Sequence, residues 1–208
     1  LPDSLDQVRP AQALWFNELR GMLNERGCRL HIFHGRQYFH AKPGPALRKL
    51  TGQNRHDCWI LALSNEAVQR WFENAPNPCI VAGSIYEGVD LPFRDLDHRA
   101  LCRHAAGILL GMGHRKIALI MQKTTRAGDL ESEVGFTEGV SHSSHPDAES
   151  IVGHHEATIA SISATLRRLM ERKPAPTALL VANPYYFRTV ISLLRHMGHR
   201  IPQEISVI

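Results

Sequence analysis

Two rhythms of apolar residues alternate along this chain: short runs of β type, and longer stretches with one apolar face at helical period. Pro10 can open a helix carrying Trp15, Leu19 and Met22 on one face and stopping at Gly27. A strand is expected over Cys28 to Phe33, then a Gly/Pro-rich loop and a short helix around Ala46 to Leu50. Cys58 to Leu63 has the composition of a strand buried on both faces. Ser64 can cap the following helix, whose first turn holds Glu66, and Pro78 to Ala82 is another buried strand. The scheme then repeats. Asp97 can cap a helix stacking Leu101, Ala105, Ile108 or Leu109, and Met112, ended by Gly113. Lys116 to Met121 is a strand, Asp129 caps a helix through Val134 and Phe136, and Glu149 to Gly153 fits a further strand. Ile159, Ile162, Leu166 and Leu169 mark a helix, and Ala178 to Ala182 a strand. Asn183 and Pro184 begin a helix with Phe187, Val190, Ile191 and Leu194 that closes at Gly198. Ile205 to Ile208 starts one more strand, within which the sequence stops.

Such alternation predicts an α/β fold with parallel sheets and helices on both faces. The rhythm breaks over Ala82 to Asp97, where Gly83, Gly88 and Pro92 intervene. A crossover there gives two Rossmann-like lobes, residues 1–95 and 96–208, and a small ligand is expected in a cleft lined by C-terminal strand ends.

Composition narrows the class. With 208 residues, 43% hydrophobic and 21% charged, the chain has the make-up of an ordinary globule, which excludes disorder, collagen and a disulfide-stapled mini-protein. No apolar run approaches the ~18 residues of a membrane span. The formal charge of +4 is too weak a field, spread over the whole chain, to promise DNA affinity. Cys28, Cys58, Cys79 and Cys102 have no C-x-x-C spacing and lie beside apolar residues, as expected of buried free thiols in a reducing cytosol. Leu1 in place of Met reads as a cut boundary.

Four ordered segments resemble lactose-repressor-like (LacI/GalR) transcription regulators. They are Leu109-Leu110-Gly111-Met112-Gly113-His114-Arg115-Lys116-Ile117-Ala118, Gly135-Phe136, Pro176-Thr177-Ala178 through Ala182-Asn183, and Gly198 through Ile208 with its Ile201-Pro202 and Ile205-Ser206-Val207-Ile208. The resemblance is strong from about residue 78 onward and diffuse before it. It implies a periplasmic binding protein-like effector domain with two Rossmann-like lobes, its C-terminal part truncated here. It also implies a homodimer and a DNA-reading head outside this chain, of LacI or GntR type, with the diffuse first third favouring GntR. Leu1-Pro2 resembles the end of the family's first strand.

Site residues follow from the same resemblance. The loop after the Lys116 strand, with Gln122, Lys123, Thr124 and Arg126, matches the effector-contacting loop. Asn183 matches an effector-contacting asparagine, and as an N-cap it has a compatible structural role. Sugar-responsive members carry an arginine where this chain has Ser132, and Arg126 is expected to supply the guanidinium instead. Tyr185 and its neighbours Tyr186 and Phe187 replace small residues and offer stacking surface. The expected effector is thus a sugar, a sugar acid or a similar anionic, cyclic metabolite, with no cofactor. The histidines, including His154-His155, lack zinc-site spacing and are expected at the surface or in caps, so no metal is expected. His114 and Arg115 are expected to satisfy carbonyls at a helix end, and the tryptophans to pack in cores. The resulting expectation is a cytoplasmic regulator's sensor that does not touch the membrane. A periplasmic solute-binding protein is the rival. An enzyme is disfavoured, since no G-x-G-x-x-G, P-loop or G-x-S-x-G segment occurs.

Overall fold

The computed structural model describes residues 1–5 and 10–208. Contacts divide the chain into two compact units, Leu1–Leu96 and Asp97–Ile208. Each is α/β with a parallel sheet, as the alternation of rhythms requires.

In unit 1, α1 (Pro10–Glu25) leads through residues 28–35 and a 3-10 turn at Arg36–Tyr38 to α2 (Gly44–Gln53). Then come β1 (Trp59–Ala62), α3 (Glu66–Glu73), β2 (Cys79–Ala82) and the two-residue β3 (Phe93–Arg94), with sheet order β1-β2-β3. Leu47, Trp59, Leu61, Val68, Phe72 and Val81 make the core. Four expectations are corrected here. The buried face of α1 is set by Phe16, while Trp15 and Met22 are 42% and 54% exposed; the face is rotated by about one residue, with only Leu19 shared. Cys28–Phe33 forms no strand among the described residues. The cap of α3 is Asn65, whose side chain accepts from Val68 N at 3.0 Å, and not Ser64. Cys28 and Cys58 are exposed rather than buried.

Unit 2 runs α4 (His98–Gly111), β4 (Lys116–Gln122), α5 (Ala127–Ser141), β5 (Glu149–His155), α6 (Ile159–Met170), β6 (Ala178–Val181), α7 (Pro184–His196) and β7 (Ser206–Val207). Its sheet has the order β5-β4-β6-β7, all parallel. The central strand β4 is apolar on both faces, as a strand covered twice must be. Ile117, Leu119 and Met121 meet Leu109 and Phe136 of α4 and α5 on one side. Ala118 and Ile120 meet Leu166, Val190 and Leu194 of α6 and α7 on the other. The side chain of Asp97 caps α4, accepting from Ala100 N at 2.8 Å. The expected stripe on α4 is corrected: Leu101, Ile108 and Met112 are exposed, and Cys102, Ala105, Ala106, Leu109 and Leu110 face the core. Helix α5 starts earlier than expected, so Asp129 lies in its first turn, where it favours the dipole, and Arg126 is the capping position.

One further difference concerns His114. Its ring is not on helix carbonyls but hydrogen-bonds the hydroxyls of Thr177 (2.8 Å) and Ser206 (2.9 Å), tying the start of β4 to β6 and β7. Arg115 does satisfy carbonyls, donating to Leu110 O and His114 O. Among the described residues no helix is long and apolar enough to cross a membrane.

Candidate functional site

In a parallel sheet every strand ends on the same edge, so loops and helix starts gather there. In unit 2 that edge carries Gln122 at the end of β4 and, directly across the ladder, His155 at the end of β5. Lys123 N donates to His155 O at 2.8 Å and extends the pairing by one step. Beside them β6 passes into α7 through Asn183, whose Oδ1 accepts from Tyr185 N at 3.0 Å and fixes the first turn. That turn sets Tyr186 down on the sheet edge, 5% exposed, with its hydroxyl donating to Gln122 Oε1 at 2.9 Å. Its ring meets that of His155 edge to face, with centroids 4.7 Å apart. Tyr185 is 65% exposed and packs against Tyr186.

The result is an edge rich in donors. With its oxygen held by Tyr186, the Gln122 amide nitrogen has no hydrogen-bond partner among the described residues. The same holds for the Asn183 amide nitrogen, the Lys123 ammonium and the Arg126 guanidinium, the last two on exposed side chains. Thr124 is partly occupied, its Oγ1 accepting from Arg126 N at 3.1 Å. Ser132 stands apart from this group. It is 5% exposed, its hydroxyl donates to Gly128 O at 2.9 Å, and it sits against the Cys102 thiol of α4. Among the described residues no three metal-ligating side chains converge.

The edge also holds His155, which the sequence did not place in the site, and it buries Tyr186, which was expected to offer stacking surface. His155 is 2% exposed, not a surface histidine, and neither ring nitrogen has a partner among the described residues. Leaving a buried polar atom unpaired costs about 1–3 kcal/mol. Only its neighbour His154 is at the surface, paired with Glu133 at 2.9 Å. The signal was period two: Ile151, Gly153 and His155 are the inward positions of β5, visible once the strand is carried past Gly153. Tyr186 belongs to the buried row Tyr186, Val190, Leu194; the expected face already held Val190 and Leu194 but began one residue later, at Phe187.

Burial holds the His155 pKa below the usual histidine value, and His154 adds to the effect while Glu156 opposes it. His114 is lowered by burial as well. An unfolded chain takes up these protons below about pH 6.5 and the folded one does so only at lower pH. Unit 2 should therefore be fully stable above that value and lose stability as pH falls below it. Denaturant midpoints measured between pH 8 and pH 5 would record this, and His155→Phe should flatten part of the slope. An unchanged slope would contradict it.

Comparison with known proteins shows what the chain is similar to. Residues 106–208 match the model of the periplasmic binding protein-like domain. The HTH-type transcriptional regulator CelR of Thermobifida fusca is 26% identical over 191 residues, which cover 89% of this chain and 55% of that protein. The chain thus spans about half the length of that relative. Among solved structures, a putative transcriptional regulator from Yersinia pestis superposes with a TM-score of 0.81 at 18% identity, covering 96% of this chain and 71% of the other. A CelR–cellobiose complex superposes with a TM-score of 0.74 at 23% identity, covering 91% and 58%. The structural likenesses concern the fold, while the aligned relative and the matched domain concern descent. Residues 106–208 of this chain are therefore similar to a periplasmic binding protein-like domain, and most of the chain aligns with part of an HTH-type transcriptional regulator.

Proposed function

We propose that the chain is the effector-sensing part of a cytoplasmic, DNA-binding transcription regulator, and that the C-terminal sheet edge of unit 2 contributes donors to a small, oxygen-rich metabolite, a sugar or sugar acid. The observation that carries this reading is the set of unpartnered donors on Gln122, Lys123, Arg126 and Asn183 at one edge. Such a set suits a ligand rich in hydroxyl or carboxylate oxygens, and the Arg126 fork suits paired oxygens in particular. The exposed aromatic ring of Tyr185 beside it suits a ring. The regulator relatives support sensing rather than catalysis, and DNA contact is assigned to a head in another part of the protein. Homodimerisation belongs to the same reading. A ligand acts as a switch only by binding two states of the regulator with different affinity.

Thermal melting of the chain against neutral sugars and sugar acids tests the proposal. A ligand bound only by the folded state adds about 2.7 kcal/mol at 100 times its dissociation constant. That shift should shrink in Arg126→Ala and Lys123→Ala, whose own melting should stay near that of the parent because both side chains are exposed. Response to neutral sugars alone would remove the sugar acid, and a shift unaffected by either substitution would remove this edge as the site.

A further inference from the structure

The inward row of β5 ends on His155, and two helices begin around it. Period two turns Ile151, Gly153 and His155 toward α6 and α7, where Ile151 joins Leu166 and Val190 in the core. Glu156 N donates to the Ser161 hydroxyl at 2.9 Å, which folds the first turn of α6 back onto the end of β5. The first turn of α7 lays Tyr186 edge to face against the imidazole. Helices of 12 and 13 residues thus start beside one ring, and the positive ends of both dipoles gather there. A helix start alone defines no site. What marks this place is His155 itself, 2% exposed and with neither ring nitrogen partnered among the described residues.

The charges around the ring are mostly of one sign. On β5 its neighbours are Glu156, which is exposed, and His154, which turns to the opposite face and pairs with Glu133 of α5. From β4 and the loop after it come the neutral Gln122 and the cations Lys123 and Arg126. Helix α6 carries no charged side chain before Arg167, and α7 brings Tyr185, Tyr186 and cations but no acid. An imidazolium here would be enclosed among positive groups with no buried counter-ion. The free chain therefore holds the ring neutral at pH 7.

We propose that His155 makes this edge selective for acids: a carboxylate seated by Lys123 and Arg126 at the ends of β4 and β5 supplies the missing counter-charge, and His155 takes up one proton from solvent as that ligand binds. The inference rests on the sensing role proposed above for the same edge and adds the charge of the ligand. No direct bond from ring to ligand is needed. Buried charges are screened far less than exposed ones, so the field of an anion at the strand ends reaches an imidazole that is 2% exposed. His155 thus determines specificity through charge. Neutral sugars bring none and bind without proton uptake. Affinity for acids rises as pH falls, by up to about tenfold per pH unit wherever the free ring is neutral and the bound one charged.

The test is calorimetric titration of the chain near neutral pH, in buffers of different ionisation enthalpy, with glucuronate, galacturonate and gluconate and with glucose and galactose. The acids should bind with a net uptake of protons that vanishes in His155→Gln and persists in His154→Gln, while the neutral sugars should take up none. Should His155→Gln not fold, the His155 Cε1–H resonance of the parent decides, and a bound acid should raise its titration midpoint by about one pH unit or more. Acids bound without proton uptake, or with equal uptake in the glutamine variant, would overturn the proposal and leave the sensing role standing. Binding of the neutral sugars alone would do the same. No response to any of these ligands would remove the sensing role, and this inference with it.

Discussion

Gly135→Ala should destabilise unit 2 by about 3 kcal/mol or leave it unfolded, a cost at or beyond the usual range for overpacking. A Cβ at Gly135 would sit 2.7 Å from the main-chain carbon and Cα of Arg99, and would run into that residue's carbonyl oxygen. Backbone cannot swing aside as a side-chain tip can. One turn on, a Cβ at Gly139 would lie 2.8 Å from Arg103 O and 3.0 Å from Ala106 Cβ, so Gly139→Ala should cost less, about 1–2 kcal/mol. The two glycines let α4 and α5 approach closely enough for Phe136 to be fully buried and for Arg99 to reach Glu138, its Nε donating to Oε2 at 2.8 Å. Urea denaturation of both variants checks the ordering. Gly135→Ala melting like the parent would mean that the helices slide apart at no cost.

Tyr186 should separate stability from binding. Tyr186→Ala empties a 5%-exposed aromatic site between His155 and the sheet edge and should cost about 3–5 kcal/mol, as other aromatic truncations in cores do. Tyr186→Phe keeps the ring and removes only the hydroxyl bonded to Gln122, for about 1 kcal/mol. If Gln122 is held in place for a ligand, the phenylalanine variant should fold and still lose affinity for any ligand that stabilises the parent. Unaltered affinity would show that the Tyr186–Gln122 bond is structural only.

Much of unit 2 was legible because its strands are short apolar runs between strong punctuation. Asp97, Asn183 and Gly113 mark boundaries that the structure keeps, with Asn183 accepting from a first-turn amide. The side of a helix that faces inward was harder to read. The expected faces of α4 and α7 shared Ala105, Leu109, Val190 and Leu194 with the buried ones, but apolar residues one position away, such as Ile108 and Phe187, made their edges ambiguous. Residues 28–33 failed for a different reason: a strand is made by its neighbours, and among the described residues this β-type stretch is paired into no sheet. At the candidate edge, the resemblance pointed to Gln122, Lys123 and Asn183, which the structure brings together. His155 was missed because adjacent histidines look alike in sequence, although the pleat buries one and exposes the other. Ser132 was assigned by position in the motif, and its hydroxyl turns back into its own helix.

The His114 clamp lies at the opposite margin of the sheet from the donor residues, joining the starts of β4, β6 and β7 through Thr177 and Ser206. The seven residues of β4 separate the two by about 20 Å, beyond the range over which substitutions usually couple. One margin can therefore keep the sheet assembled while the other is free to vary. Changes at residues 122–126 and 183–186 can retune what is recognised without drawing on the same stabilising contacts. For a sensor, that separation is a form of evolvability: new chemistry can be tried at one end of a sheet whose other end guarantees that it folds.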